Sequence, residues 1–535
     1  GQYGVIRVFD DNELKQDRNA PKLFPETIKE PQIEYHSDTL LNFSLERYHQ
    51  LLKKKKGVSE PIEGNNYATG LNSEQLAAVE MTKKSCLVLA GPGTGKTKTL
   101  VNKIEYLIKT VNLLPENVLA ITFTNKAADE IRERIKQTDK KSRVNVMTFH
   151  KLGLQIITEN AARLGLNNPV TIINQQEKEY LLKNRLAVEK KSLKTISTKL
   201  SVYKQNKCEL DEWEREIFEK YQNFLSSRKL VDIDDLVYLS VKFLSENVEL
   251  CREYQQKFKY LLIDEYQDIN EIQFQLVKLL YSENNLFAIG DTNQAIYGFR
   301  GADVKFIQQF SNHFPGSEII NFSKSYRCSN QILAASDDVI QNQNPLSGLQ
   351  KGVRIRIHQA ETEKSEAEFI ARKIEEIAGG FRFFSMDSNV TDGYDDTDLS
   401  GLDDIIVLCR TRMIIPPIVK AFHDHAIPCE IVDNKPFWEE KPIREIINIY
   451  KTLLNPDYNQ LLDLQISSEE IKQLQLEKSS RATLEKIIHH HFFGEIKSHR
   501  GDIQRLLDFA DNFPNHSELL EKLSLRFTED YSSQK

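Results

Sequence analysis

The chain has no paired cysteines. Its six cysteines (Cys86, Cys208, Cys251, Cys328, Cys409 and Cys429) are scattered through 535 residues, with no Cys-x-x-Cys spacing. This excludes a zinc ribbon, an iron–sulfur cluster of the usual spacing and a disulfide framework, and it points to a reducing, cytoplasmic setting. No apolar run is long enough to cross a bilayer. A positive net charge is missing too: the formal charge is −7, so the chain as a whole does not advertise a nucleic-acid binder. A groove that follows a single strand can still be locally basic, because only the residues tracking the backbone need be positive. There is no internal repeat.

What remains is an ordinary composition, 40% hydrophobic and 28% charged, in a chain long enough for three or four compact units. Its most informative stretch is SCLVLAGPGTGKTKTL, residues 85–100. A short apolar strand (Cys86 to Leu89) runs into Ala90-Gly91-Pro92-Gly93-Thr94-Gly95-Lys96-Thr97, and helix-forming residues follow. Glycines let backbone N–H groups converge on phosphate oxygens, and the helix N-terminus adds its positive dipole end. Lys96 is placed to reach the β- and γ-phosphates, and the Thr97 hydroxyl to ligate Mg²⁺. The strict pattern starts with Gly, whereas this chain has Ala90.

A carboxylate pair follows on a second apolar run. FKYLLIDEYQDIN, residues 258–270, places Asp264 and Glu265 at the end of Tyr260 to Ile263. In an open parallel sheet ligands sit beyond the carboxyl ends of the strands, so both motifs are expected to open onto one crevice. Asp264 would hold Mg²⁺, and Glu265 would orient or deprotonate an attacking water. The pairing argues for a phosphohydrolase engine that uses ATP and Mg²⁺. GTP is disfavoured, because the nearest guanine-reading block, Asn125-Lys126-Ala127-Ala128, lacks the required Asp.

Further blocks stand in a fixed order: Leu71-Asn72-Ser73-Glu74-Gln75, ITFTNKAADEIRERI (121–135), VMTFHKLG (146–153), IGDTNQAIYGFRGAD (289–303) and SKSYRCSNQIL (323–333). EAEFIARKI (366–374), IIVLCRTR (405–412) and the run at 427–456 continue the set. Together they resemble the superfamily 1 DNA helicases of the UvrD/Rep/PcrA type, over most of residues 71–456. The resemblance implies an α/β fold of RecA-like P-loop NTPase domains, with parallel sheets and helical insertions. It implies that Gln75 reads the adenine edge, that Gln294 senses the γ-phosphate and that Tyr326 stacks on the base. Arg327 would stabilise charge on the γ-phosphate in the transition state. Lys98 stands where the family often carries Arg. The strand-facing set it implies is Phe123, Thr124, Asn125, Thr148, Phe149, His150, Tyr297, Phe299 and Arg300, aromatics for stacking and polar groups for phosphates. Phe299 replaces the Trp usual in UvrD and Rep.

The expected organisation is a linker over 1–70, a first RecA-like domain from 71–150 and 251–320, and a helical insertion at 151–250 whose Asp234 and Asp235 are structural. A partial second RecA-like domain would span 321–456, and the start of a second helical insertion 457–535. The Lys53–Lys56 run reads as a solvated helix end, and 379–404 as an acidic interruption. Residue 1 is Gly, and no threonine-histidine block followed by Lys-Gly-Leu-Glu-Phe, nor a late arginine motif, is present. The expectation is therefore a fragment that hydrolyses ATP poorly, cut from an ATP-dependent, 3′-to-5′ helicase or translocase. Its partners would be single-stranded DNA and single-strand/duplex junctions, in repair or recombination. Two other readings stay open: the motor half of a machine with a nuclease module upstream or in trans, and a nucleotide sensor that does not unwind.

Overall fold

A computed structural model describes residues 4–8, 70–138, 143–283, 285–340, 345–352, 354–377, 402–432, 438, 441–462, 474, 476–491, 500–513 and 515–532. The Lys53–Lys56 run, nearly all of the 1–70 segment and most of the acidic stretch at 379–404 lie outside the described residues. The chain divides into two compact units, one of Gly1–Asp10 with Ser73–Lys535 and the other of Asp11–Asn72. The described helices and strands all belong to the first.

Its centre is a parallel sheet of β1 (Cys86–Ala90), β2 (Val118–Thr122), β3 (Asn145–Thr148), β4 (Tyr260–Ile263), β5 (Leu286–Gly290) and β6 (Glu318–Phe322). The spatial order is β3-β2-β4-β5-β1-β6. Val88 stands opposite Ile289 and Ile320, and Ile121 opposite Ile263 and Met147. The strands inside the sheet read as apolar runs because both faces are covered. Alternation splits β1 to β5 between two cores, while the edge strand β6 packs Ile320 and Phe322 on one and leaves Ile319 exposed. Leu87, Leu119, Ile121, Leu261 and Ile263 enter one core, while Val88, Val118, Ala120, Leu262 and Ile289 enter the other.

Helices α1 (Ser73–Glu80), α2 (Lys96–Lys109) and α3 (Asn125–Thr138) supply Ala78, Leu100, Ile104, Ile131 and Ile135 to the second core. Helix α4 (Phe149–Glu159), with Ile233–Glu246 and Glu271–Leu280, covers the first. Because every strand is parallel, all six carboxyl ends lie along one edge. The residues that follow them (91, 123, 149, 264, 291 and 323) start the motif segments.

One cation inside this domain has a positioning task. Lys103 of α2 is fully buried, and its Nζ donates to the Val79 carbonyl at 2.8 Å and to that of Met81. It thereby caps the carboxyl-terminal, negative end of α1. Burial pushes Lys103 down to about 7 and the adjoining Cys86 thiol up to about 12.

The 151–250 region is not purely helical: Thr171–Ile173 and Leu230–Asp232 form a two-stranded parallel sheet among its helices. Asp232 caps the helix Ile233–Glu246 in a reciprocal box with Asp235. Lys204, fully buried, lies 2.7 Å from a carboxylate oxygen of each. Asp234 accepts from Ser201 Oγ at 2.6 Å and from Lys178 at 3.2 Å. Asp234 and Asp235 are thus tied into the interior of this region.

Beyond β6 a second sheet is three-stranded and antiparallel, with Gly4–Val8 between Ile406–Cys409 and Cys429–Val432. The strand Gly4–Val8 comes from the stretch that sequence assigns to a linker. Helices Glu363–Ile377 and Ile415–Asp424 pack beside it. The helix Ile443–Leu454, expected at the end of the second α/β domain, instead buries Ile446, Ile447 and Tyr450 against Leu484, Ile503 and Leu519 of the following helices. Its strongly one-sided apolar stripe needs a partner, and those helices provide one. Among the described residues no helix is long and apolar enough to cross a membrane.

Candidate functional site

The loop after β1 is held from two sides. Gln75 of α1 is buried, and its Nε2 donates to the Thr94 carbonyl at 2.8 Å. From the segment after β6, Ser325 Oγ donates to the Pro92 carbonyl and the Tyr326 N–H to that of Gly93, both at 2.8 Å. Glu74 accepts from the Ser323 N–H at 2.9 Å and from its hydroxyl at 2.6 Å. Gly93 and Gly95 are required here, with φ of +73° and +88°. A Cβ at Gly93 would stand 2.5 Å from Arg327 Cβ, and one at Gly95 2.7 Å from Gln75 Nε2. A left-handed Gly95 at the cap of α2 frees the first turn's N–H groups to face a ligand. Thr94 Oγ1 closes the loop on the Gly91 carbonyl at 2.8 Å. Ala90 is buried in the strand, Thr97 is half-buried and Lys98 is exposed.

β5 separates β1 from β4, and the side chains reach across it. Lys96 Nζ lies 3.3 Å from Glu265 Oε2 and donates to Gln294 Oε1 at 3.2 Å. Gln294 Nε2 donates to Asp291 Oδ2 at 2.8 Å. The Asp291 N–H donates to Gln267 Oε1 at 3.0 Å, and Gln267 Nε2 donates back to Glu265 Oε2 at 2.9 Å. The contacts close a ring through the phosphate-loop lysine, Glu265 and Gln267 after β4, and the loop after β5. Glu265 holds a left-handed backbone (φ +49°, ψ +47°), a conformation that costs a non-glycine residue about 1 kcal/mol or more and that clusters at working sites.

The pocket is overcharged with acid. Burial pushes the Asp264 carboxyl up to about 7, and the Glu265 charge beside it adds to the shift against the pull of Lys96. Burial raises Asp268 to about 7 as well, again with Glu265. Such a pocket suits a divalent cation, and Thr97 and Asp264 offer the hydroxyl and carboxylate oxygens that magnesium takes. Among the described residues no cluster of His, Cys, Asp or Glu side chains could hold a metal by itself. A magnesium ion here would lean on the substrate's phosphates.

Along the same edge, the strand-facing candidates separate. Phe123 meets Tyr297 with ring centroids 4.7 Å apart, and Tyr297 meets Phe299 at 6.1 Å. The Arg300 guanidinium lies over all three rings, 4.7 Å from Tyr297 and 5.8 Å from each of the others. Phe299 is 56% exposed, so the cluster offers a stacking face to solvent. Thr124 spends its hydroxyl on the Ala127 N–H at 3.1 Å, beside a half-buried Asn125. The third segment behaves differently. Thr148 is buried and caps α4 through the Lys151 N–H at 3.3 Å, and Phe149 is buried in the core, offering no face to a strand. His150 is half-buried. Tyr326 is 45% exposed and Arg327 exposed, both at the lip of the phosphate loop.

Gln267, Asp268, Asp291 and Lys103 were missed by the sequence reading. Gln267 and Asp268 stood in the same DEYQD string as the acidic pair, and Asp291 opened the IGDTNQ block. Their polar character at a strand's end was the available signal. Lys103 carried none, since a lysine on an amphipathic helix normally faces water.

Sheet order, phosphate loop and the acidic pair at the end of the next strand but one define a RecA-like α/β protein of the P-loop class. The chain belongs to the UvrD/REP helicase family. The model of the UvrD/REP helicase N-terminal domain matches residues 71–315, and that of the UvrD-like helicase C-terminal domain matches 320–502. It is 32% identical to a probable DNA helicase II homolog of Rickettsia conorii, over 75% of this chain and 63% of that one. It is 31% identical to a DNA helicase II of Rickettsia typhi, over 76% and 63%. It is also 31% identical to the ATP-dependent DNA helicase PcrA of Staphylococcus aureus, over 72% and 54%. The chain thus spans just under two thirds of the rickettsial relatives and about half of the staphylococcal one.

Proposed function

We propose that this chain is the ATP-hydrolysing motor of a DNA helicase or single-strand translocase. The observation that carries this reading is the shared edge: the ring around Lys96 and the aromatic–arginine cluster both draw on the loop after β5, through Asp291 and Gln294 for one and Tyr297, Phe299 and Arg300 for the other. Gln75, whose Nε2 donates to the Thr94 carbonyl, reads the adenine edge with its amide. The loop N–H groups and Lys96 take the phosphates, and Lys96 leaves Glu265 for them. Freed of Lys96, Glu265 is available to accept a proton from the attacking water. Gln294, released at the same moment, turns toward the γ-phosphate. Arg327 and Tyr326 approach from the segment after β6, closing the site on the base and the terminal phosphate. When magnesium is bound at Thr97 and Asp264 it supplies charge neutralisation between the phosphates.

Phe123, Tyr297 and Phe299 stack on bases and Arg300 holds the backbone, so a change in the loop after β5 is felt by both ligands. Movement from 3′ to 5′, in repair or recombination, completes the proposal by family resemblance. The test is ATP turnover by this chain with and without single-stranded DNA. Glu265→Gln is expected to lower turnover at least about 100-fold while nucleotide still binds. DNA-independent turnover that survives Glu265→Gln would overturn the assignment.

A further inference from the structure

Gln267 sits where the loop after β4 meets the loop after β5. It is 1% exposed and has one amide to share between them. Its Oε1 takes the N–H of Asp291, the first residue after β5. Its Nε2 serves two carboxylates, Glu265 Oε2 at 2.9 Å and Asp268 Oδ2 at 3.2 Å. The fit leaves no slack, since a Cβ on Gly290 would stand 2.5 Å from Gln267 Oε1.

Asp268 leads on to the stacking cluster. The charge of Arg300 acts on it, and the Asp303 N–H donates to the Ile269 carbonyl at 3.1 Å. That bond ties the segment after Asp268 to the stretch that carries Tyr297, Phe299 and Arg300. Displacing Arg300 toward a phosphodiester would weaken its hold on Asp268. The sharing of the Gln267 amide between Asp268 and Glu265 would change with it.

We infer that Gln267 is a positioning residue that couples nucleic-acid occupancy of the Arg300 cluster to the orientation of Glu265. The inference rests on the functional reading above and names the side chain through which its two sites communicate. A methionine could fill the same space, but it could make none of the three hydrogen bonds. A glutamate would keep the acceptor for Asp291 and lose both donations.

The experiment measures binding of a fluorescent oligothymidylate to this chain, with and without magnesium and a non-hydrolysable ATP analogue. The quantity read is the coupling factor, the ratio of the two dissociation constants. As a ratio it cancels a general loosening of either site. In the unmodified chain the factor is expected to exceed about 5, in either direction. In both Gln267→Met and Gln267→Glu it should fall to within about twofold of unity. If Gln267→Met does not fold, Gln267→Glu decides.

A coupling factor kept by Gln267→Glu would overturn the inference, since both donations are gone. Binding of each ligand without coupling in the unmodified chain would overturn it while leaving the functional reading intact. Failure of the unmodified chain to bind nucleotide or oligothymidylate would remove the functional reading and this inference together.

Discussion

Asp264 and Asp268 pose the same electrostatic problem. Each is buried beside Glu265, and each is pushed up to about 7, so in the absence of a cation they hold protons that the unfolded chain would release. For a carboxyl raised in this way, the contribution to stability is present below its unfolded value of about 4. It is lost as pH climbs through about 7. The metal-free protein should therefore lose stability across that window. Magnesium held at Asp264, as proposed above, would reverse the preference, because only the ionised carboxylate can serve it. Its binding should strengthen as pH rises toward about 7 and should release protons. Calorimetric titration of magnesium with nucleotide near pH 6.5, in buffers of different ionisation enthalpy, checks this. Equal heats in every buffer would show that Asp264 is already ionised.

At the scale of single elements, Phe123 and Phe149 show what a strand end alone does not decide. Both follow a threonine at the end of an apolar run, and sequence treats them alike. β2 ends at Thr122 and α3 begins at Asn125, which leaves Phe123 in a connecting loop, half-exposed against Tyr297. β3 ends at Thr148 and α4 begins at once with Phe149, so its ring falls into the core beneath the sheet. The difference is two residues of loop, within the normal uncertainty of an element boundary.

The helix Ile233–Glu246 teaches a similar lesson about charge. Its Asp235 was legible as structural, but its partner Lys204 lies 31 residues earlier, on another helix. Burial works against a charge on Lys204, yet Asp232, Asp235 and Asp234 hold its ammonium above the ordinary lysine value. Lys204→Met should lower stability by about 3–5 kcal/mol, measured by denaturant unfolding, because it strands two buried carboxyl groups. A loss under about 1 kcal/mol would mean that those groups simply take up protons.

Across the molecule, the two helical regions are joined by another buried pair. Lys451, from the helix Ile443–Leu454, is 1% exposed and donates to Glu177 Oε1 at 3.0 Å and to the Ile172 carbonyl at 3.1 Å. Tyr458 donates to the same carboxylate and lies in the core of the first insertion with Leu461. Residues 274 apart in sequence thus form one interior. Lys451→Met and Glu177→Gln should each destabilise the chain by about 3–5 kcal/mol. The double variant should cost clearly less than their sum, a coupling that a double-mutant cycle of unfolding free energies measures. Additive losses would show that the pair contributes nothing beyond its separate neighbours.

By itself the sequence determined the class of domain, the phosphate loop and its lysine, the acidic pair and the aromatic segment after β5. Those features are local: glycines at a turn, apolar runs of strand length, and polar groups placed immediately after them. Only the tertiary structure decided that Lys96 rests between Glu265 and Gln294, that Gln267 links the two loops, and that Phe149 is core. It also decided that Gly4–Val8 pairs with strands some 400 residues away. Each of these depends on which strands lie side by side, and neighbour order in a sheet is set by packing between elements far apart in the chain. No local pattern of residues encodes it.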